Sequence, residues 1–170
     1  MEGHVFIEMK VSGLAIDPIT NTPIVILKDI EGRRAVPIWI GIFEASAIAT
    51  EMENIKFPRP MTHDLLNEII KLMKGEVVRV EISDLRNNTF FANIHLLLEG
   101  KTIVVDARPS DAIAIALRAR ASIFVEEKVI EKSRNVDFGA KHSDIGSLDK
   151  EKLEEFLENL SPEDFGKYKM

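Results

Sequence analysis

The sequence predicts an α+β protein: a duplicated β-β-β-α unit with a mainly antiparallel sheet, an extra helix between the copies and a C-terminal helix. Three observations carry this. Short segments of alternating apolar and polar residues are joined by tight turn signals, the pattern of successive antiparallel strands. Two Ala-rich apolar stretches, Phe43–Asn54 and Ala112–Ala121, each follow a set of such strands. The two sets also read alike at a spacing of about 70 residues, as a repeated unit would. Met9-Lys10-Val11-Ser12-Gly13-Leu14 returns as Val80-Glu81-Ile82-Ser83-Asp84-Leu85, and Glu31-Gly32 returns as Glu99-Gly100. Glu44-Ala45-Ser46-Ala47-Ile48-Ala49 returns as Asp111-Ala112-Ile113-Ala114-Ile115-Ala116.

Taken in order, Val5, Ile7, Met9 and Val11 alternate with Phe6, Glu8 and Lys10, as in a half-buried strand. Asp17-Pro18 and Asn21-Thr22-Pro23 turn the chain into a second strand, Ile24–Leu27. Glu31-Gly32 turns it into a third, Ala35–Ile40. After Gly41, the stripe Ala45, Ile48, Ala49 and Met52 predicts a helix, broken by Pro58-Arg59-Pro60. Thr62 is the expected N-cap of the inserted helix, which runs to Lys74 and ends at Gly75. Its apolar face is Leu65, Leu66, Ile69, Ile70 and Met73, and its first turn holds His63 and Asp64.

Val77–Leu85 and Phe90–Leu98 are the next strands, joined at Asn87-Asn88. Glu99-Gly100-Lys101 leads to Thr102–Val105, apolar and β-branched, which reads as a buried strand. Pro109 holds Arg108 extended, Ser110 is placed as an N-cap, and Asp111 favours the positive helix end. Ala121–Val125 reads as a short closing strand. Residues 1–127 thus form one expected domain. Residues 128–146 are polar and charged and are expected to be exposed and mobile. Residues 147–170 are expected to add a helical appendage, capped by Ser147, with the stripe Leu148, Leu153, Phe156, Leu157 and Leu160.

Composition removes several function classes. The absence of cysteine excludes disulfides, zinc-thiolate sites and a cysteine nucleophile. A strand pattern begins almost at the N-terminus, so no signal peptide is expected, and no apolar run approaches the roughly 20 residues that span a bilayer. A cytoplasmic location is expected. Abundant Ile, Glu and Lys without Cys is compatible with a thermophilic source. The net charge of −6 argues against nonspecific coating of nucleic acid, which rests on Lys and Arg, and leaves room only for a local basic cleft.

The chemistry is densest at the strand-to-helix corner holding Asp106, Arg108, Ser110 and Asp111. One reading is a helix cap with an Asp–Arg ion pair. The other is an anionic site whose carboxylates bind a metal or activate water. Glu44 occupies the corresponding helix start in the first unit, so the two acids could approach across a pseudo-twofold arrangement.

The segment Val105-Asp106-Ala107-Arg108-Pro109-Ser110-Asp111-Ala112-Ile113-Ala114 resembles the signature of the bifunctional nuclease family. So do Pro37-Ile38-Trp39-Ile40-Gly41 with Glu44-Ala45, and Arg59-Pro60-Met61-Thr62-His63-Asp64-Leu65-Leu66, at matching spacings. The resemblance covers residues 5–127, and Phe156-Leu157 with Ser161-Pro162-Glu163-Asp164-Phe165 is similar to the tail of bacterial members. It implies nuclease action on RNA and DNA, an activity attached to plant members.

Two chemical routes fit that expectation. In one, Asp106 and Asp111, with Glu44 and Asp64 as further oxygen ligands, hold Mg²⁺ or Mn²⁺. In the other, His63 is the general acid or base, with Arg59, Arg108 and Ser110 on the phosphate. His63 also has a plain reading as an exposed first-turn residue. His95 is expected on the solvent face of a strand, and His142 in the polar segment. Trp39 and Phe43 are expected in the core. Arg118 and Arg120 are expected as salt-bridge or interface residues. A homo-oligomer, most simply a twofold dimer, is expected. The alternative function is a non-catalytic regulatory or binding module for a small anionic ligand or a protein partner.

Overall fold

In the computed structural model, which describes residues 3–134, the strands join a single sheet with helices gathered on it. β1 (Phe6–Ile16), β2 (Pro23–Asp29) and β3 (Ala35–Trp39) are followed by α1 (Ile42–Met52) and α2 (Thr62–Leu72). β4 (Glu76–Arg86), β5 (Thr89–Leu98) and β6 (Lys101–Ala107) are followed by α3 (Pro109–Ala119), β7 (Ser122–Glu126) and α4 (Glu127–Arg134). The sheet order is β3-β2-β1-β7-β4-β5-β6. Each three-strand set is antiparallel, and β7 joins them, antiparallel to β1 and parallel to β4. The fold is α+β, as the patterning predicts.

Local chemistry explains the joints. Asn87-Asn88 and Glu99-Gly100 all have positive φ, so both hairpins close on two-residue turns whose twist matches the flanking strands. One face of the sheet, carrying Met9, Val80, Ile82, Ala92, Ile94, Ile123 and Val125, packs under the helices. The Ala-rich composition of α1 and α3 lets their backbones approach closely: Ala45, Ala49, Ala112, Ala114 and Ala116 are all fully buried, and the two helices pack on each other. α3 also rests on β4 and β5, and α2 packs on α3.

Four expectations are corrected. The N-cap of α3 is Arg108, with Pro109 at the first helical position, so Ser110 lies inside the first turn and is buried. Proline fits there because its missing N–H is one the helix leaves unpaired anyway. β6 is not buried: as the last strand it has one neighbour, and Ile103, Val104 and Val105 are exposed. Most of the apolar stripe of α2 faces outward: Leu65, Leu66, Ile69 and Met73 are exposed, while Ile70 packs on the core and Asn67 is buried. The start of the segment expected to be exposed is helical: residues 127–134 form α4, which buries Val129, Ile130 and Ser133. The rest of that segment, with His142, and the C-terminal helix lie outside the described residues.

Candidate functional site

The starts of α1 and α3 share one local design. Each helix is entered from a residue in extended conformation, Gly41 or Arg108, and each has an acid at its third position, Glu44 or Asp111. There a carboxylate faces the positive end of the helix dipole. A Cβ on Gly41 would collide with the Glu44 carboxylate, so glycine gives that carboxylate its place.

Arg108 ties the two acids together. Its Nε donates to Asp111 Oδ2 at 2.7 Å and its Nη1 to Glu44 Oε1 at 2.7 Å. The other Asp111 oxygen, Oδ1, lies 2.9 Å from His63 Nε2. The result is a continuous chain Glu44–Arg108–Asp111–His63 across the starts of three helices. Burial pushes the Asp111 carboxyl up, but hydrogen bonds from Arg108 and His63 outweigh it and hold it below the usual range. The Asp111 hydrogen bond and charge, reinforced by Glu44, raise Arg108.

A second ion pair fixes the geometry. Arg118, only 5% exposed, donates from Nε to Asp64 Oδ1 at 2.6 Å. Its Nη1 and Nη2 reach the carbonyls of Ala114 and Ala47, each at 3.0 Å. One guanidinium therefore pins the first turn of α2 to α3 and α1. Asp64 also accepts the Met61 backbone N–H at 3.0 Å, closing the start of α2. Burial raises the Asp64 carboxyl, and these hydrogen bonds, with the Arg118 charge, lower it to a net position below normal.

These groups line a cleft of about 570 Å³. His63, Arg108, Asp111 and Arg118 form its polar side, and Phe43, Phe57 and Met61 its apolar side. A smaller cavity of about 280 Å³ shares Glu44 and Arg108 with it and is also lined by Trp39, Pro109 and Ser110. The Glu44–Arg108 pair is thus a wall between two concave surfaces.

Of the residues singled out from sequence, the cleft brings together Glu44, His63, Arg108 and Asp111, with Asp64 one ion pair away. It does not bring in Asp106. Side chains alternate along a strand. Ala107 packs on the helix-covered face, so Asp106, paired with Asn93, points to the opposite face. Asp106 and Asp111 are therefore not arranged as a joint metal site. Among the described residues no group of three or more His, Asp or Glu is placed to hold a metal ion. Arg59 is exposed beside the cleft without lining it, and Ser110 faces the smaller cavity.

Other placements differ from expectation. Phe43 is exposed on the cleft rim instead of buried in the core. Trp39 is half-buried, its Nε1 donating to Asp17 Oδ2 at 3.0 Å. His95 is half-buried, 2.9 Å from a carboxylate oxygen of the buried Glu81. Phe57 and Met61 are not marked as site residues by the sequence; their one signal is that both flank Pro58-Arg59-Pro60, which breaks the helix pattern beside them.

A sequence model of the family described as "Bifunctional nuclease domain" matches residues 25–137. An uncharacterized protein of Mycobacterium tuberculosis is 37% identical over 167 residues, covering 93% of this chain and 97% of that protein. "Bifunctional nuclease 1" of Oryza sativa subsp. indica is 28% identical over 97 residues, 55% of this chain and 29% of the rice protein. "Bifunctional nuclease 1" of Arabidopsis thaliana is 28% identical over 109 residues, 62% of this chain and 34% of the Arabidopsis protein. The similarity to the plant proteins thus spans about a third of their length. Among the described residues no helix is long and apolar enough to cross a membrane.

Proposed function

The chain belongs to the bifunctional nuclease domain family, and on that footing we propose that it hydrolyses phosphodiester bonds of RNA and DNA, with the Glu44–Arg108–Asp111–His63 chain as its apparatus. The observation that carries this reading is the His63–Asp111 contact of 2.9 Å at the wall of an open cleft, beside a guanidinium.

A carboxylate can only accept, so His63 donates to Asp111 from Nε2 and its lone pair sits on Nδ1. That is how a carboxylate sets the tautomer and orientation of a catalytic imidazole. In the proposed step, Nδ1 takes a proton from the attacking water as its oxygen bonds to phosphorus. The P–O bond to the leaving oxygen breaks, and that oxygen takes up a proton from solvent water. The positive charge formed on His63 is stabilised by Asp111. Arg108, with its side chain 65% exposed, is the phosphate-binding group. Its two ion pairs use Nε and Nη1, so donors on Nη2 can still reach a phosphoryl oxygen. Asp64 and Arg118 position His63 by fixing the first turn of α2.

The donor set does not favour two bridging cations. Glu44 and Asp111 already share Arg108, and Asp106 points away. This supports the histidine route over the Mg²⁺ or Mn²⁺ route, without a step through a metal. The binding-module alternative makes a different forecast, a folded protein that cleaves nothing. The test is cleavage of labelled RNA and DNA oligonucleotides by wild-type protein and His63→Ala. Loss of cleavage in a folded variant supports the proposal, and cleavage equal to wild type rejects it.

The outward stripe of α2 and the apolar edge strand β6 also support a homodimer, since exposed apolar patches of this kind mark association surfaces. Sedimentation velocity tests this: a single monomer species at micromolar concentration would reject it.

A further inference from the structure

We infer that the cleft is a nucleobase-stacking site, so that its substrate is nucleic acid with unpaired bases, held by aromatic contact more than by phosphate neutralisation. This rests on the nuclease reading above and names the class of substrate that the same site takes.

The aromatic side chains carry the argument. Among the described residues, Phe6, Trp39, Phe90, Phe91 and Phe124 are all half-buried. Among these described aromatic residues only Phe43 and Phe57 are exposed, at 57% and 44%, and both line this one cleft. They come from different elements, Phe43 from the first turn of α1 and Phe57 from the loop before α2. Their meeting at one rim therefore does not follow from a shared helix face. Met61, also exposed, lies on the same rim. Two exposed phenyl rings beside a cationic group make a flat apolar platform on which a base attached to a phosphate can stack.

Charge points the same way. The chain as a whole is acidic, with a net charge of −6, so it carries no overall excess of Lys and Arg to neutralise a duplex backbone. The cleft adds little: Arg118 is buried and spent on Asp64 and two carbonyls, and Arg108 already carries two carboxylates. Beside the phosphate contact of Arg108, stacking adds affinity that does not depend on cations, and it is sequence-tolerant because every base has a π-face. That tolerance also suits a site acting on both RNA and DNA. A base inside a duplex is stacked on both sides and cannot offer its face to Phe43 or Phe57. A duplex would first have to flip a base out of its stack, which favours a substrate with unpaired bases.

The test uses the full chain and single-stranded oligonucleotides carrying 2-aminopurine, whose fluorescence is quenched when the base stacks. Parallel strands carry an abasic position, and a fully paired duplex serves as control. Binding and cleavage are measured for wild type, Phe43→Leu and Phe57→Leu. Both sites are exposed, so the variants are expected to fold, and melting curves check this. The inference predicts quenching by wild type and at least about fivefold weaker binding of base-bearing strand by each variant. It also predicts no variant effect on the abasic strand, and a shallow dependence of binding on salt. Variants that bind and cleave the base-bearing strand like wild type, or a duplex cleaved as fast as single strand, would overturn it while leaving the nuclease reading intact. If wild type quenches 2-aminopurine through the two rings yet cleaves nothing, the stacking site stands and the catalytic reading falls.

Discussion

The starts of α1 and α3 make the most instructive comparison in this molecule. Both are reached from an extended residue, and both place an acid at the third helical position, over the positive helix end. They differ in the residue that precedes the helix. At α1 it is Gly41, whose missing side chain leaves space for the Glu44 carboxylate. At α3 it is Arg108, whose side chain folds onto its own Asp111 and reaches across to Glu44. One guanidinium therefore serves two helix starts. His63 then attaches to only one of the two acids, Asp111. Two similar starts become two unlike groups: Asp111 orients the imidazole, and Glu44 steadies the arginine.

The largest effect that could break this comparison is loss of the imidazole or of its carboxylate. His63→Ala is expected to lower cleavage by about 100-fold or more, the scale of general acid–base catalysis. Glu44→Gln is expected to cost markedly less, because it loosens Arg108 and leaves His63–Asp111 in place. Equal losses from the two, measured as initial rates on one oligonucleotide, would erase the distinction between the helix starts.

Arg108→Lys comes next. A lysine is a single point charge and cannot fork between Glu44 and Asp111. A loss of roughly tenfold or more is expected, larger than for Arg59→Lys on the nearby exposed loop. Similar losses for the two would place the phosphate at Arg59 instead.

The third prediction concerns stability and pH. The Asp64 carboxyl is lowered in the folded protein from its ordinary value of 3.8, so its ion pair with Arg118 stabilises the fold above that value. The contribution is lost as pH falls through the lowered folded value. Asp64→Asn is expected to destabilise by about 1–3 kcal/mol near neutrality, since it leaves the buried Arg118 without its counter-charge and replaces the oxygen that accepts the Met61 N–H by a donor. The gap to wild type should close in acid below 3.8. Urea unfolding at pH 7, 5 and 3 measures it, and a gap that is constant with pH contradicts the account.

The smallest effects separate the two faces of the sheet. Gly41→Ala should displace the Glu44 carboxylate and lower activity by less than about tenfold, at a cost of about 1 kcal/mol at the cap. Asp106→Asn, on the opposite face, should leave the cleavage rate unchanged. A large loss in Asp106→Asn would return that residue to the site.

These contrasts also mark what was legible in the sequence. The alternation of Ile7, Met9 and Val11 and the Asn87-Asn88 turn exposed the strands and hairpins, because period-two patterning and positive-φ turns are local properties. The helix-start acids were legible for the same reason. Burial was less so. Thr102–Val105 is apolar enough for a core strand, yet position at the sheet edge is a property of topology. The stripe on α2 is genuine, but amphipathicity states only that a face is apolar and not which side meets a neighbour. Asp106 and Asp111 looked like partners because they are close in sequence. The alternation that separates them was already present in Val104-Val105-Asp106-Ala107. The partnership that matters, His63 with Asp111, spans 48 positions and arises only when α2 packs on α3. The same packing brings Phe43 and Phe57 to one rim.

The central claim is that a carboxylate-oriented histidine, with an arginine and no metal, performs the cleavage. The most direct measurement is the rate at which wild-type protein and Asp111→Asn cleave single-stranded RNA and DNA in the presence of chelator. The account predicts that wild type keeps its rate when divalent cations are removed and that the folded variant loses about 100-fold or more. Cleavage that vanishes in chelator and returns with Mg²⁺ or Mn²⁺, or a variant as fast as wild type, would contradict it.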